Sequence, residues 1–273
     1  MPTSAIIKTE AITLRVAPFS NTSHVVTWLT PTHGKIATVV KGACRPKSLM
    51  MGQYDIGFLC ELLFYERERN GVHVIKECSV INAREVIRGN WQLTAATSYL
   101  CHLASIVTPE AGHAPELYRL LRHSLSRLSS LAPQHRQLFL AWFELRLLSV
   151  LGVPPLLTNC TLCNAPVEAH QGSLFSAAYG GFICSRCKDA SRNSHALLQV
   201  AGDTIALMRR LMAASDFRLL VSLKCKDSQY SSIGRCLGAF LEHHVDLAPE
   251  NRAVAHQMLK LQEQFAESSG CPT

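Results

Sequence analysis

Four cysteines limit what this chain can fold into more than any other feature. Cys160 and Cys163 form one C-x2-C pair, Cys184 and Cys187 form a second, and 20 residues separate the pairs. A two-residue gap lets both thiolates of a pair turn toward one ion, and two such pairs supply the four soft ligands of a closed tetrahedral zinc site. The flanking residues, Asn159 to Asn164 and Gly181 to Cys187, read as two tight turns. Coordination by four cysteines has no open position for water or substrate, so the expected zinc is a single structural ion. The deaminase pattern is also missing. No proline precedes Cys160 or Cys184, and Glu168-Ala169-His170 runs opposite to the required H-x-E order. His170 and His195 flank the cluster and read as surface histidines. Disulfide pairing of the four is the minor reading, because the other seven cysteines stand alone at scattered spacings, which suits a reducing cytoplasm.

With 273 residues, of which 48% are hydrophobic and 17% charged, the chain is globular and long enough for two or more domains. No apolar run reaches the ~18 residues of a membrane span. The start, Met1-Pro2-Thr3-Ser4, has neither a basic n-region nor an apolar h-region. The expectation is a cytoplasmic protein with no membrane contact. The common catalytic signatures fail together: there is no G-x4-G-K-S/T, no H-E-x2-H, no G-x-S-x-G and no carboxylate cluster fit for two metals. The chain therefore reads as a non-enzyme.

The predicted architecture is α+β. Strand-like segments fill residues 1–82: Ile6 to Val16, broken at Pro18 and Ser20-Asn21, then His24 to Thr30, Lys35 to Val40, Ile56 to Tyr65 and Val72 to Cys78. Asn70-Gly71 is a hairpin signal, since both residues tolerate positive φ. Five short strands in about 80 residues suggest a small closed barrel of the OB type. From residue 83 to 273 the period is helical, with segments at 91–100, 117–131, 134–151, 203–213, 231–245 and 249–266, and the zinc segment at about 158–190 is an insert between helices.

Charge placement points to a polyanion. Residues 11–54 carry Arg15, Lys35, Lys41, Arg45 and Lys47 and no Asp or Glu, and residues 83–157 hold seven arginines against four glutamates. Lys41-Gly42-Ala43-Cys44-Arg45-Pro46-Lys47-Ser48 is a compact basic loop in which Gly42 and Pro46 set turns, so that its cations fan toward successive phosphates. Phe19, Trp28, Tyr54, Phe58, Phe64 and Tyr65 are candidate base-stacking residues, although barrel aromatics are more often core. Arg119, Arg122, Arg127 and Arg136 fit two readings: an extension of a nucleic-acid surface, or the rim of an apolar groove for an acidic, hydrophobic peptide. Each alone also fits an ordinary solvated helix face. A protein-interaction adaptor that binds acidic tails, with incidental DNA binding, is the rival functional class.

The stretch Gly34 to Ser48, the helix end Leu148 to Gly152 and the segment Phe175 to Gly181 follow one another in an order in which the chain resembles the RecO family of bacterial recombination mediators. Gly34 to Ser48, GKIATVVKGACRPKS, is similar to the family's barrel motif; Leu148-Ser149-Val150-Leu151-Gly152 ends a helix as in the family; and Phe175-Ser176-Ala177-Ala178-Tyr179-Gly180-Gly181 precedes the second cysteine pair. Two departures stand out: Cys44 occupies a position that is often basic, and Ser20-Asn21-Thr22-Ser23 lacks an acidic residue common before the serine. The resemblance implies an ATP-independent DNA repair factor at the bacterial nucleoid. Such a factor binds single- and double-stranded DNA and anneals complementary strands. With RecR it helps RecA load onto DNA coated by single-stranded DNA-binding protein, whose acidic C-terminal tail it engages.

Overall fold

The computed structural model describes residues 5–66, 72–109, 112–168, 172–188 and 197–268, with only the backbone for 261–268. Asn70-Gly71, His170 and His195 fall outside the described residues. The chain divides into two compact units, Met1–Ser130 and Leu131–Thr273.

The first unit is built on five strands: β1 (Ile6–Ser20), β2 (Ser23–Thr30), β3 (Gly34–Val40), β4 (Leu59–Tyr65) and β5 (Val72–Asn82). They close into a barrel in the order β1-β2-β3-β5-β4, antiparallel except for the β3–β5 pair. The alternation of β3, buried at every second residue from Gly34 to Val40, follows from the two-residue side-chain period of a strand. Its inward residues join Val26, Trp28, Phe58, Leu62, Phe64 and Ile75 in one core. Within that core the Trp28 indole N–H donates to Thr38 Oγ1 at 2.9 Å, so the ring is buried without an orphaned donor.

The expected break at Pro18 does not occur: β1 runs on to Ser20. Beyond Thr13, which makes the last bonds to the Gly57-Phe58 segment ahead of β4, the strand pairs with β2 alone, and the register slips between Pro18 and Ser20. A strand with one free edge and a bulge tolerates a residue that cannot donate a hydrogen bond. Gly34 opens β3 at a φ of 63°, and a Cβ there would collide with the Gly112 carbonyl oxygen, so both the turn and the close approach require glycine.

Three helices complete this unit: α1 (Glu85–Arg88), α2 (Trp91–Val107) and α3 (Pro115–Leu128). Asn90 caps α2 by accepting from the backbone N–H groups of Gln92 and Leu93. On α3 the buried face is formed by leucines three or four residues apart, Leu117, Leu121, Leu125 and Leu128. The Tyr118 hydroxyl on that helix donates to Glu10 Oε2 of β1 at 3.1 Å. Because α2 and α3 pack with the barrel, this unit extends past the strand-to-helix change near residue 83.

The second unit is helical around α4 (Pro133–Val150), with α5 (Gly202–Ala213), α6 (Asp227–Val245) and α7 (Pro249–Ser268). Buried residues run almost unbroken from Leu138 to Leu148, which marks α4 as a central helix and not an amphipathic surface one. Trp142 donates its indole N–H to the Ala214 carbonyl at 2.9 Å and packs with Phe139 and Phe217. Between α4 and α5 lies a three-stranded sheet in the order β7-β6-β8, from β6 (Ser173–Ser176), β7 (Gly181–Ile183) and β8 (Leu198–Val200). No described helix is long and apolar enough to cross a membrane.

Candidate nucleic-acid interface and metal centre

The basic loop leaves β3 through a chain of turns. Gly42 adopts a φ of 68°, Arg45 N–H donates to the Gly42 carbonyl at 3.1 Å, and Ser48 N–H donates to the Arg45 carbonyl at 3.0 Å. Two further bonds fasten the loop to the β1–β2 turn: Cys44 N–H to the Thr22 carbonyl at 3.1 Å and Gly42 N–H to Ser23 Oγ at 3.3 Å. Ala43 is buried and anchors the turn, while Lys41, Arg45 and Lys47 are exposed. Among the described residues, no ion pair engages these three cations. The loop thus holds concentrated positive charge on a fixed backbone.

Exposed apolar side chains belong to the same end of the unit. Phe19, just before the β1–β2 turn, is 64% exposed, and Leu49 and Met51, in the turns that follow Lys47, are 90% and 57% exposed. Leu49 and Met51 were not among the expected contact residues. Their signal in the sequence is Leu49-Met50-Met51, an apolar run that belongs to no strand period and adjoins three cations. Of the candidate stacking residues, Trp28, Phe58 and Phe64 are core, and Tyr54 and Tyr65 are half-buried. Phe19 alone among them is largely exposed.

The other predicted cations differ in placement. Arg15 is exposed on β1. Lys35 is not a free cation of the loop: its Nζ donates to the Ser105 carbonyl of α2 at 2.9 Å, because the β3 position that bears it faces that helix. On α3, Arg119 pairs with Glu116, and Arg122 pairs with Glu10 at 3.0 Å, all with substantial exposure. Arg127 is half-exposed. Arg136 departs from the expected exposed face. It is 8% exposed, and its Nε donates to the Leu131 carbonyl at 3.3 Å, which ties it into the packed first turn of α4.

The four cysteines come together as their spacing requires. Their sulfur atoms all lie within 4.8 Å of one another, and Cys163 and Cys184 Sγ are 3.7 Å apart. Four sulfurs at ~2.3 Å from one tetrahedral ion stand about 3.8 Å from each other, so the set fits a closed metal site. The first pair sits in a knuckle in which Cys160 N–H donates to the Ala165 carbonyl, Asn164 N–H donates to the Cys160 carbonyl, and Asn164 takes a φ of 57°. The second pair follows β7 on a short 3-10 turn, Ser185–Cys187. Gly181, which opens β7, approaches the Leu156 backbone so closely that any Cβ would overlap its carbonyl. Arg209 of α5 fixes the base of the segment, with Nε donating to the Leu157 carbonyl at 2.8 Å and Nη2 to the Val167 carbonyl at 2.7 Å. Burial works to raise Cys160, but backbone N–H groups of Cys184, Cys163 and Leu162 outweigh it and bring the thiol down to about 6. Cys187, beside the Cys163 thiol, is pushed up to about 12. A divalent cation compensates the charge that four such neighbours carry once deprotonated.

A second polar centre in this unit was not foreseen from the sequence. Glu144 is fully buried on α4 and is held by Arg252 and His256 of α7. Its signal was weak: one glutamate within an otherwise apolar helix.

Fold and site together define a two-unit protein: an OB-type barrel with an exposed basic loop, joined to a helical unit that carries a four-cysteine cluster fit to hold a metal ion. The family profiles described as Recombination protein O N terminal and Recombination protein O C terminal match residues 3–84 and 88–253. A DNA repair protein RecO of Syntrophus aciditrophicus is 30% identical over 187 residues, 68% of this chain and 71% of the relative. Those of Moorella thermoacetica and Exiguobacterium sibiricum are 26% and 28% identical over 93% and 94% of this chain, and over 91% and 98% of their own lengths. The chain belongs to the recombination protein O family, and its function lies in DNA repair and recombination.

Proposed function

We propose that this chain is a non-enzymatic mediator of recombinational repair in the bacterial cytoplasm. The barrel domain, residues 1–82, binds single- and double-stranded DNA through Lys41, Arg45 and Lys47, with Arg15 as a further contact. Cations that screen two phosphate backbones let complementary strands approach and anneal, and no covalent step is involved. Phe19, Leu49 and Met51 offer apolar surface to unstacked bases beside those cations. Acting with RecR, the protein helps RecA load onto DNA coated by single-stranded DNA-binding protein. It engages the acidic C-terminal tail of that protein. The Arg119 and Arg122 ion pairs are exposed and so worth little, and tail carboxylates compete for these arginines and for Arg127. Buried Arg136 takes no part. The four-cysteine centre holds one structural zinc, chosen by its all-thiolate tetrahedral donor set.

The observation that carries this reading is the exposed loop whose three cations have no ion pair among the described residues, on a backbone pinned to the β1–β2 turn. The test is strand annealing by purified full-length protein, with and without the coating protein. The expected result is ATP-independent annealing in both cases. A chain that binds an acidic C-terminal peptide tightly, binds oligonucleotide only at low salt and does not anneal would instead be an adaptor.

A further inference from the structure

The basic loop carries a nucleophile. Cys44 is exposed and lies between Lys41 and Arg45, and its Sγ is 3.3 Å from His24 Nε2 of β2. The other ring nitrogen, His24 Nδ1, is 2.9 Å from the Tyr54 hydroxyl. Tyr54 is braced edge-on against Trp28 in the barrel core, with ring centroids 5.9 Å apart. Nucleophile, base and orienting group thus stand in a row across three segments of chain, the arrangement that activates a thiol. Outside the four-cysteine cluster, Cys60, Cys78, Cys101 and Cys236 are buried and Cys225 is half-exposed, so Cys44 is the most accessible thiol there among the described residues.

We propose that Cys44 is a thiol–disulfide exchange site, served by His24 as base, at which a small anionic disulfide places an adduct on the basic loop. His24 Nε2 accepts the Sγ proton, and its Nδ1–H donates to the Tyr54 oxygen. Burial, chiefly, holds the Tyr54 phenol up at about 12, so it stays protonated and acts as a fixed neutral partner. The Cys44 sulfur attacks one sulfur of the incoming disulfide; a new S–S bond forms and the incoming S–S bond breaks. The departing thiolate takes the proton from His24 and leaves as a thiol. Lys41 and Arg45 attract the anionic reagent, and the adduct then sets negative charge between them. That this weakens DNA binding rests on the proposed function; the exchange chemistry does not.

The test treats the full-length chain with oxidised glutathione at pH 7.5 and follows each cysteine by peptide mass mapping. Cys44 is expected to react first, well ahead of Cys225. His24→Gln slows it by about tenfold or more, and Tyr54→Phe, which keeps the ring packing, slows it by a smaller factor. Wild-type rates in both variants, or Cys225 reacting ahead of Cys44, would overturn the site. In a second arm, the modified chain should bind a single-stranded oligonucleotide about tenfold more weakly at ~0.1 M salt, with recovery in dithiothreitol, while Cys44→Ser is indifferent to the disulfide. Unchanged binding by a chain modified at Cys44 overturns the coupling to DNA. If the untreated chain binds no oligonucleotide, the proposed function fails, and the rate comparison still decides the thiol site.

Discussion

Arg252 grips Glu144 through two parallel hydrogen bonds of 2.9 Å, Nε to Oε1 and Nη2 to Oε2, across 108 residues of sequence. A third donor of the same guanidinium, Nη1, reaches the Gly234 carbonyl at 3.0 Å. The pair joins α4 to α7 inside the second unit, with the carboxylate fully buried. His256 completes the centre. A carboxylate only accepts, so His256 Nε2–H donates to Glu144 Oε1 at 3.3 Å, and Nδ1 accepts from the Tyr230 hydroxyl.

Removing one partner should cost far more than removing both. Arg252→Met leaves a buried carboxylate without its counter-charge, and a loss of about 3–5 kcal/mol is expected. The Glu144→Leu/Arg252→Met double variant should recover most of that loss, since apolar replacement of a buried pair is often close to neutral. Urea unfolding of the wild type, both single variants and the double variant forms the cycle that checks this.

The same centre makes the fold acid-sensitive in two stages. Burial raises the Glu144 carboxyl, but the Arg252 guanidinium outweighs it and holds the group at about 2, below its ordinary 4.5. Its stabilisation is therefore complete above pH 4.5 and is lost as pH falls toward 2, a total of about 3 kcal/mol. His256 is lowered from 6.5, first by burial and then by the Arg252 charge, so it is folded in the neutral form. Its stabilisation is likewise complete above pH 6.5 and declines as the unfolded chain gains a proton below that value. Urea midpoints should fall from pH 7.5 to 5.5 and again from 5 to 3, and the double variant should flatten the second step.

Chelation should release the four-cysteine segment. The Cys184 knuckle follows β7, and the first knuckle is tied to that strand by one backbone bond, Thr161 N–H to the Phe182 carbonyl at 2.9 Å, so metal binding and local folding are coupled. Elemental analysis is expected to give about one zinc per chain. Cys163→Ser, or a strong chelator, should open residues 157–188 to limited proteolysis. A metal-free chain that resists cleavage there would contradict a structural site.

How much of this was legible in the sequence depended on range. The barrel strands and the cysteine centre were readable because their signals are local: two-residue alternation in β3, and a two-residue gap in each cysteine pair. Pro18 misled because its cost depends on whether β1 has a neighbour on both edges, which is a property of the closed barrel. Lys35 and Arg136 looked like free cations because their acceptors, the Ser105 and Leu131 carbonyls, are backbone atoms that leave no mark in composition. Glu144 and Arg252 lie too far apart in sequence for any periodic pattern to pair them. The Leu49-Met50-Met51 run is visible in the sequence, but an apolar run in a loop does not itself say which of its side chains face solvent.

The central claim is that Lys41, Arg45 and Lys47 meet DNA phosphates. The most direct test is the salt dependence of single-stranded oligonucleotide binding for the wild type and for a chain with all three changed to Ala. Each phosphate neutralised on a single strand contributes about 0.7 to the log–log slope, so loss of three should reduce its magnitude by about 2. A triple variant that keeps the wild-type slope and affinity would show that this loop is not the DNA contact.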